Sequence, residues 1–218
     1  MTTSILIPFR GDNGQRDRLW AHCQKLWAQT PYEIVTGTDN GNGPFNTAQA
    51  LNDAHTKATG DKLIIYGADQ LPDTEAINEA LQHLEHHPWV ALYNSTATHT
   101  PESTEQILAG REPTQPPTTT PLCVAIIGIR ADKWINYDER FHGWGSEDTA
   151  WRHALQALYR DTPAPTRTLQ TLYHEPASRA RAEDNYRIYR EYIDAHNAGN
   201  MRDYLVTHGL IEATNAHT

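Results

Sequence analysis

The stretch FHGWGSEDTAW, residues 141–151, sets Glu147 and Asp148 side by side behind a Gly-Trp-Gly turn. Gly143 and Gly145 let the backbone turn sharply and come close to a ligand, and Trp144 between them can stack on or cover a sugar ring. Ser146 is suited to cap a helix whose inner face carries Trp151, Leu155 and Leu158. Glu147 and Asp148 would then occupy its first turn, where carboxylates complement the helix dipole. Capping explains the two acids, but it asks for neither a tryptophan between two glycines nor the preceding YDERF run.

Two further stretches offer ligands. LIIYGADQLPD places Asp69 just past an apolar strand, where a carboxylate either binds a hard divalent cation that neutralises phosphate oxygens or bonds its own turn. TLYHEP places His174 directly after another strand, and histidine is a common ligand of manganese or zinc that could complete a site with Asp69. The chain has twelve histidines, and His83, His86 and His87 read as ordinary residues of a polar helix face. Neither G-x-G-x-x-G nor G-x-x-x-x-G-K-[ST] occurs, which removes the dinucleotide fingerprint and the P-loop.

Such residues need a scaffold to bring them together. Short apolar runs alternate with amphipathic stretches, which predicts an α/β fold, a mostly parallel sheet flanked by helices. Strands are expected at residues 4–8, 32–36, 62–66 and 89–93, with helices at 17–29, 46–59 and 74–86 between them. Residues 95–121, rich in Pro and Thr, read as a long mobile loop or lid, or as a linker between domains. Residues 122–130 read as a strand returning to the same sheet. A short helix near 132–135, a helix at 147–159, a strand at 166–173 and a polar helical tail at 178–208 with a break near Gly199 complete the chain. In an open α/β sheet ligands collect at the carboxyl ends of strands, and PFRGDNG, GTDNGNGPFN, GADQLPD and the Gly-Trp-Gly segment all fall there.

Composition narrows the partners. The 218 residues suffice for one domain with a real core, and a formal charge of −9, from 27 acidic against 18 basic residues, argues against a uniformly basic nucleic-acid surface. Cys23 and Cys123 lie far apart without CxxC spacing, which suggests buried free thiols. No stretch approaches the ~18 apolar residues of a membrane span and no signal peptide is recognisable, so a soluble cytoplasmic protein is expected, in the host cytoplasm if phage-encoded.

Taken in order, ILIPFR, PFNTAQALNDA, LIIYGADQLP, IRADKWINYDERFHGWGSEDTAW and LYHEP resemble glycosyltransferases of the GT-A fold, most of all their metal-dependent, inverting galactosyltransferase branch and related bacterial and phage sugar transferases. The resemblance implies one GT-A domain over residues 1–218. Residues 1–94 would form its nucleotide-sugar half, 95–121 its mobile loop, 122–176 its acceptor and catalytic half, and 177–218 a helical tail. It implies a UDP-sugar donor, a Mn2+ or Mg2+ ion on Asp69 and His174, and transfer of a hexose to an acceptor with a free hydroxyl. Asp148 would be the general base, with Glu147 orienting hydroxyls. Pro8, Arg10, Asp39, Phe45, Asn46, Asp69, Trp144 and Gly145 would bind the donor, with Phe45 and Asn46 on the uracil and Trp144 closing over it. Gly67 stands where the family's Asp-x-Asp motif has its first aspartate, and Thr171 where the galactosyltransferase branch has a third metal ligand.

The acceptor stays open among a small molecule, a glycan, a protein and a hydroxymethylated DNA base, the last because RARAEDNYRIYR at 179–190 could offer a local phosphate-binding face. A solvated helix face is the other reading of those arginines. Competing functions are a non-catalytic nucleotide-sugar or carbohydrate-binding module on a decayed transferase fold and an α/β nucleotidyltransferase, the latter disfavoured by the lack of a glycine-rich, lysine-bearing loop after the first strand.

Overall fold

The computed structural model describes residues 2–121, 126–143, 145–160, 162–175 and 181–213. In chain order the elements are β1 (Thr3–Pro8), α1 (Gln15–Trp27), β2 (Glu33–Gly37), α2 (Thr47–Lys57), β3 (Lys62–Ile65), α3 (Thr74–His83), β4 (Trp89–Ala91) and β5 (Tyr93–Thr98). There follow α4 (Pro101–Leu108), β6 (Thr118–Pro121), β7 (Ile127–Arg130), a 3-10 turn (Ala131–Lys133), α5 (Glu147–Tyr159), β8 (Arg167–Thr171), α6 (Ala182–Asn197) and α7 (Met201–Thr207).

The main sheet has the order β2-β1-β3-β7-β4, and β7 runs against its neighbours β3 and β4 while β1, β2 and β3 are parallel. The expected α/β class, mostly parallel and flanked by helices, is what the structure shows. Apolar runs such as KLII form central strands because both faces are covered. Successive residues of β1 feed opposite sides: Leu6 packs with Val35, Ile65 and side chains of α2 and α5, while Ile5 and Ile7 pack with Trp20, Cys23 and Trp27 of α1 and Ile77 of α3. Burying each large apolar side chain contributes about 1.5–3 kcal/mol. Gly37, at the carboxyl end of β2, lies against α2 so closely that a Cβ there would sit 1.9 Å from the Ala50 carbonyl oxygen.

A second sheet, β6-β5-β8, departs from expectation. Residues 89–93 are not one strand, since β4 stays in the main sheet and β5 leaves it for the second, with an irregular register between Tyr93 and Ser95. Nor are residues 95–121 a loop or linker, for they carry β5, α4 and β6. These strands lack an apolar alternation because hydroxyl pairs join β5 to β8, Ser95 to Thr168 at 2.7 Å and Thr96 to Thr171 at 3.1 Å. Thr100 caps α4 by accepting the Ser103 amide, and Pro101 occupies its first turn.

The strand expected at 122–130 is present as β7 from Ile127, and residues 122–125, with Cys123, lie outside the described residues. The C-terminal segment is helical as expected, broken between Asn197 and Met201. Cys23 is a free, buried thiol, which burial pushes up to about 12. Among the described residues no helix is long and apolar enough to cross a membrane.

Candidate functional site

Beyond the carboxyl ends of β1 and β2, four expected donor-binding residues meet. Arg10 donates to Asp39 Oδ2 at 3.0 Å and to the Gly43 carbonyl at 2.9 Å, and its guanidinium carbon lies 5.6 Å from the Phe45 ring centre. Asp39 is buried, and Oδ2 also accepts the Asn46 amide at 3.0 Å. Its other oxygen, Oδ1, is buried without a hydrogen-bond partner. A buried acceptor left unpaired costs about 1–3 kcal/mol. Asn46 is used differently. Its Oδ1 caps α2 by accepting the Gln49 amide at 3.0 Å, and its Nδ2 donates to the Glu139 carbonyl at 2.9 Å and lies 3.4 Å from His142 Nδ1. Buried and engaged on both sides, this side chain ties the start of α2 to the Glu139 segment.

Beyond β3 and β8 the second cluster forms. Backbone bonds from Leu172 N to Asp69 O, 2.9 Å, and from Leu71 N to Gln170 O, 3.0 Å, tie the turn after β3 to the end of β8. They bring Asp69 Oδ2 to 3.3 Å from His174 Nε2. His174 Nδ1 lies 2.7 Å from the Glu175 carbonyl, so Nδ1 carries the donating hydrogen and Nε2 is the nitrogen turned toward Asp69. The hydrogen bond to Asp69 holds the His174 pKa above its ordinary value.

A cavity of about 100 Å³ opens here, lined by Pro8, Arg16, Gly67, Asp69 and His174 among others. Arg16, whose positive charge opposes protonation of His174, was not singled out from the sequence. It is one of three arginines in this stretch, with Arg10 and Arg18, and nothing in their spacing tells which faces the cleft. Arg18, two residues on, pairs with Glu105 at 2.7 Å instead.

At Gly67 the Gln70 side chain accepts the backbone amide and lies where a Cβ would stand, 2.8 Å from it. A divalent cation suits the pair that remains, an anionic oxygen facing an imidazole nitrogen whose partner nitrogen is committed to a carbonyl. Among the described residues no group of three or more His, Cys, Asp or Glu could hold a metal, so further ligands would be water and oxygens of the substrate. Thr171 turns its hydroxyl to Thr96.

The third cluster is the acid pair at the start of α5. Ser146 occupies the cap position in a left-handed conformation, φ 76°, and its side chain makes no cap bond, contrary to expectation. Gly143 (φ 71°) and Gly145 (φ 112°) are left-handed too, and Trp144 between them lies outside the described residues. Three such backbones close together explain the glycines, which adopt this region without steric cost. Glu147 accepts the Gly145 amide at 3.1 Å, and Asp148 accepts the Thr149 amide at 2.6 Å and its hydroxyl at 3.2 Å.

Burial holds both carboxyls above the ordinary range, and for Glu147 the neighbouring Asp148 charge adds to it. Tyr137 also feels both acids, and its ring stacks on Trp151 with centres 4.6 Å apart. Trp151 donates to the Ile135 carbonyl at 2.8 Å. Its place in the core fixes the helix that presents the acids.

Two other features bear on ligands. Of the arginines at 179–190, Arg179 lies outside the described residues, while Arg181 pairs with Asp184 and Arg187 with Glu183 and Asp184 on the surface of the tail. A larger cavity of about 540 Å³ lies by the start of β3, lined by the pairs Lys62 with Glu85 and Arg130 with Asp132 and by Asp61.

No protein-family model and no curated protein matches the chain. Among solved structures it is similar to a Drosophila beta-1,4-galactosyltransferase 7 mutant in complex with manganese, UDP-Gal and xylobiose, at 14% identity over 69% of this chain and 58% of that one, TM-score 0.43. It is also similar to S. aureus TarS, at 14% identity over 99% of this chain and 74% of that one, TM-score 0.46. A third is glucosyl-3-phosphoglycerate synthase from Mycobacterium tuberculosis in complex with phosphoglyceric acid, at 12% identity over 97% of this chain and 81% of that one, TM-score 0.47. The chain spans little more than half of the galactosyltransferase.

Proposed function

We propose that this chain is a glycosyltransferase that moves a hexose from a UDP-sugar to an acceptor hydroxyl with inversion at the anomeric carbon. The observation that carries the reading is the meeting of Asp69 and His174, from segments remote in sequence, beside Arg16 in a cleft at the carboxyl ends of the strands. Held by Asp69 Oδ2 and His174 Nε2, a manganese or magnesium ion would supply charge neutralisation to the departing diphosphate.

The remaining work falls to the chain's own side chains. Asp39 holds the Arg10 guanidinium beside the Phe45 ring, which packs on the base. Arg10 and Arg16 place positive charge near the diphosphate, where negative charge grows as the bond to the anomeric carbon breaks. Asp148 takes the proton of the acceptor hydroxyl as that oxygen forms its bond to the anomeric carbon from the opposite side. UDP leaves with the electron pair of the broken bond. Glu147, its pKa raised by burial, orients hydroxyls by hydrogen bonds.

A panel of UDP-sugars, each with manganese, is screened for thermal stabilisation and for hydrolysis to UDP. Stabilisation and turnover by one of them, both lost on adding EDTA, are expected. A protein that neither binds nor cleaves any of them is not a UDP-sugar transferase.

A further inference from the structure

We propose that Asn185, in the first turn of α6, is a positioning residue for the acid pair, and that the C-terminal helices are thereby part of the reaction site. The proposal rests on the reading of Glu147 and Asp148 given above. Asn185 is 1% exposed, and every polar atom of its side chain is spent on one loop. Oδ1 accepts the His142 amide at 3.1 Å, and Nδ2 donates to the His142 carbonyl at 3.1 Å and the Gly145 carbonyl at 3.0 Å. No surface-helix role calls for an asparagine buried in this way, since burying an amide is favourable only where its partners are fixed.

The loop it grips needs gripping. Gly143, Gly145 and Ser146 all hold positive φ, and the acids follow at once. From the opposite side Asn46 bonds the Glu139 carbonyl, and the Phe45 carbonyl accepts the Gly143 amide at 3.1 Å. Glu139, His142 and Gly145 are therefore held between two asparagines, one capping the helix that begins at the base-binding cluster and one on the tail. A chain of bonds runs from Asn185 to the Gly145 peptide and from the Gly145 amide to Glu147 Oε2. Removing Asn185 frees the turn that sets where the carboxylates point, while Arg10, Asp39, Phe45, Asp69 and His174 keep their own partners.

The test compares Asn185→Ala with the unaltered chain and with Arg187→Ala, an exposed change on the same helix. Amide hydrogen exchange is followed at residues 142–147, UDP affinity is measured by calorimetry with manganese, and hydrolysis of the UDP-sugar found in the screen is timed. In Asn185→Ala exchange in the loop should accelerate about tenfold, kcat should fall about 10²-fold, and UDP affinity should stay within about twofold of the starting value. Arg187→Ala should leave all three unchanged. If Asn185→Ala does not fold, Asn185→Ser, which keeps a hydroxyl in the buried space, serves in its place.

Unchanged exchange in the loop overturns the clamp, as does loss of UDP affinity in step with turnover, which would mark a general structural role. If the unaltered chain hydrolyses no UDP-sugar, it is the glycosyltransferase reading that falls. The exchange comparison then still decides whether Asn185 holds the loop.

Discussion

The acid pair and the Asp69–His174 pair solve opposite problems with similar groups. Glu147 and Asp148 are neighbours in sequence, carry the same charge and sit half-buried at the start of a helix, so each holds its proton more firmly than an exposed carboxyl would. Asp69 and His174 come from separate strands, carry opposite charge potential and touch at 3.3 Å. The first arrangement is suited to taking and giving a proton, the second to holding a cation between an oxygen and a nitrogen. Adjacency in the chain placed like charges together, and the fold supplied complementary ones. The two regions should therefore fail differently when disturbed.

The sharpest break is Asp148→Asn, which should lower transfer or hydrolysis about 10²–10⁴-fold while UDP still binds. A loss of binding instead would place Asp148 with the donor and erase the distinction between the regions. Asp69→Asn should show the reverse pattern, a weakening of manganese-dependent UDP binding of about tenfold to a hundredfold, read by calorimetry. Equal UDP affinity with and without manganese in the unaltered chain would remove the metal from the second region.

The pH profile sharpens the same contrast. The base acts as its anion, so kcat/KM should rise with pH through a limb lying above the value of about 4 found for exposed carboxyls. A limb at that ordinary value would show the pair to be solvated. Stability moves the other way. The folded acid pair keeps protons that the unfolded chain has lost, so its contribution to stability declines as pH rises from the unfolded carboxyl range toward neutrality. The smallest effect follows: Glu147→Gln should stabilise the protein by about 1 kcal/mol near neutral pH and by almost nothing near pH ~4, seen as a shift in thermal midpoint that appears only at the higher pH.

Much of this was legible in advance where local chemistry decides. The strands of ILIPF and LIIY, the helix starting at Glu147 and the break near Gly199 follow from apolar runs, periodicity and glycine. Of the second sheet only the strand at 166–173, present as β8, was legible; its partners β5 and β6 were not, because Ser95 and Thr96 pair with Thr168 and Thr171 through hydroxyls and leave no alternating apolar pattern to read. Helix α4 did carry its signs, Thr100 before Pro101 with Glu102 in the first turn, but they were lost within a segment rich in Pro and Thr. Asn46 was assigned by resemblance and Ser146 by residue type. Neither specifies burial or backbone conformation, on which the part each side chain plays depends.

By itself the sequence determined which groups are available: two adjacent acids behind glycines, an aspartate and a histidine each placed after a strand, and enough apolar residues in the right rhythm for an α/β sheet. Only the tertiary structure decided which of them meet. Hydrogen bonds and charge interactions act over a few ångströms, and chain segments far apart reach that range only when sheet register and helix packing bring them there. Asp69 against His174, Arg16 in the same cleft, Asp39 with an unpaired oxygen and Asn185 beneath the glycine turn are all products of that packing.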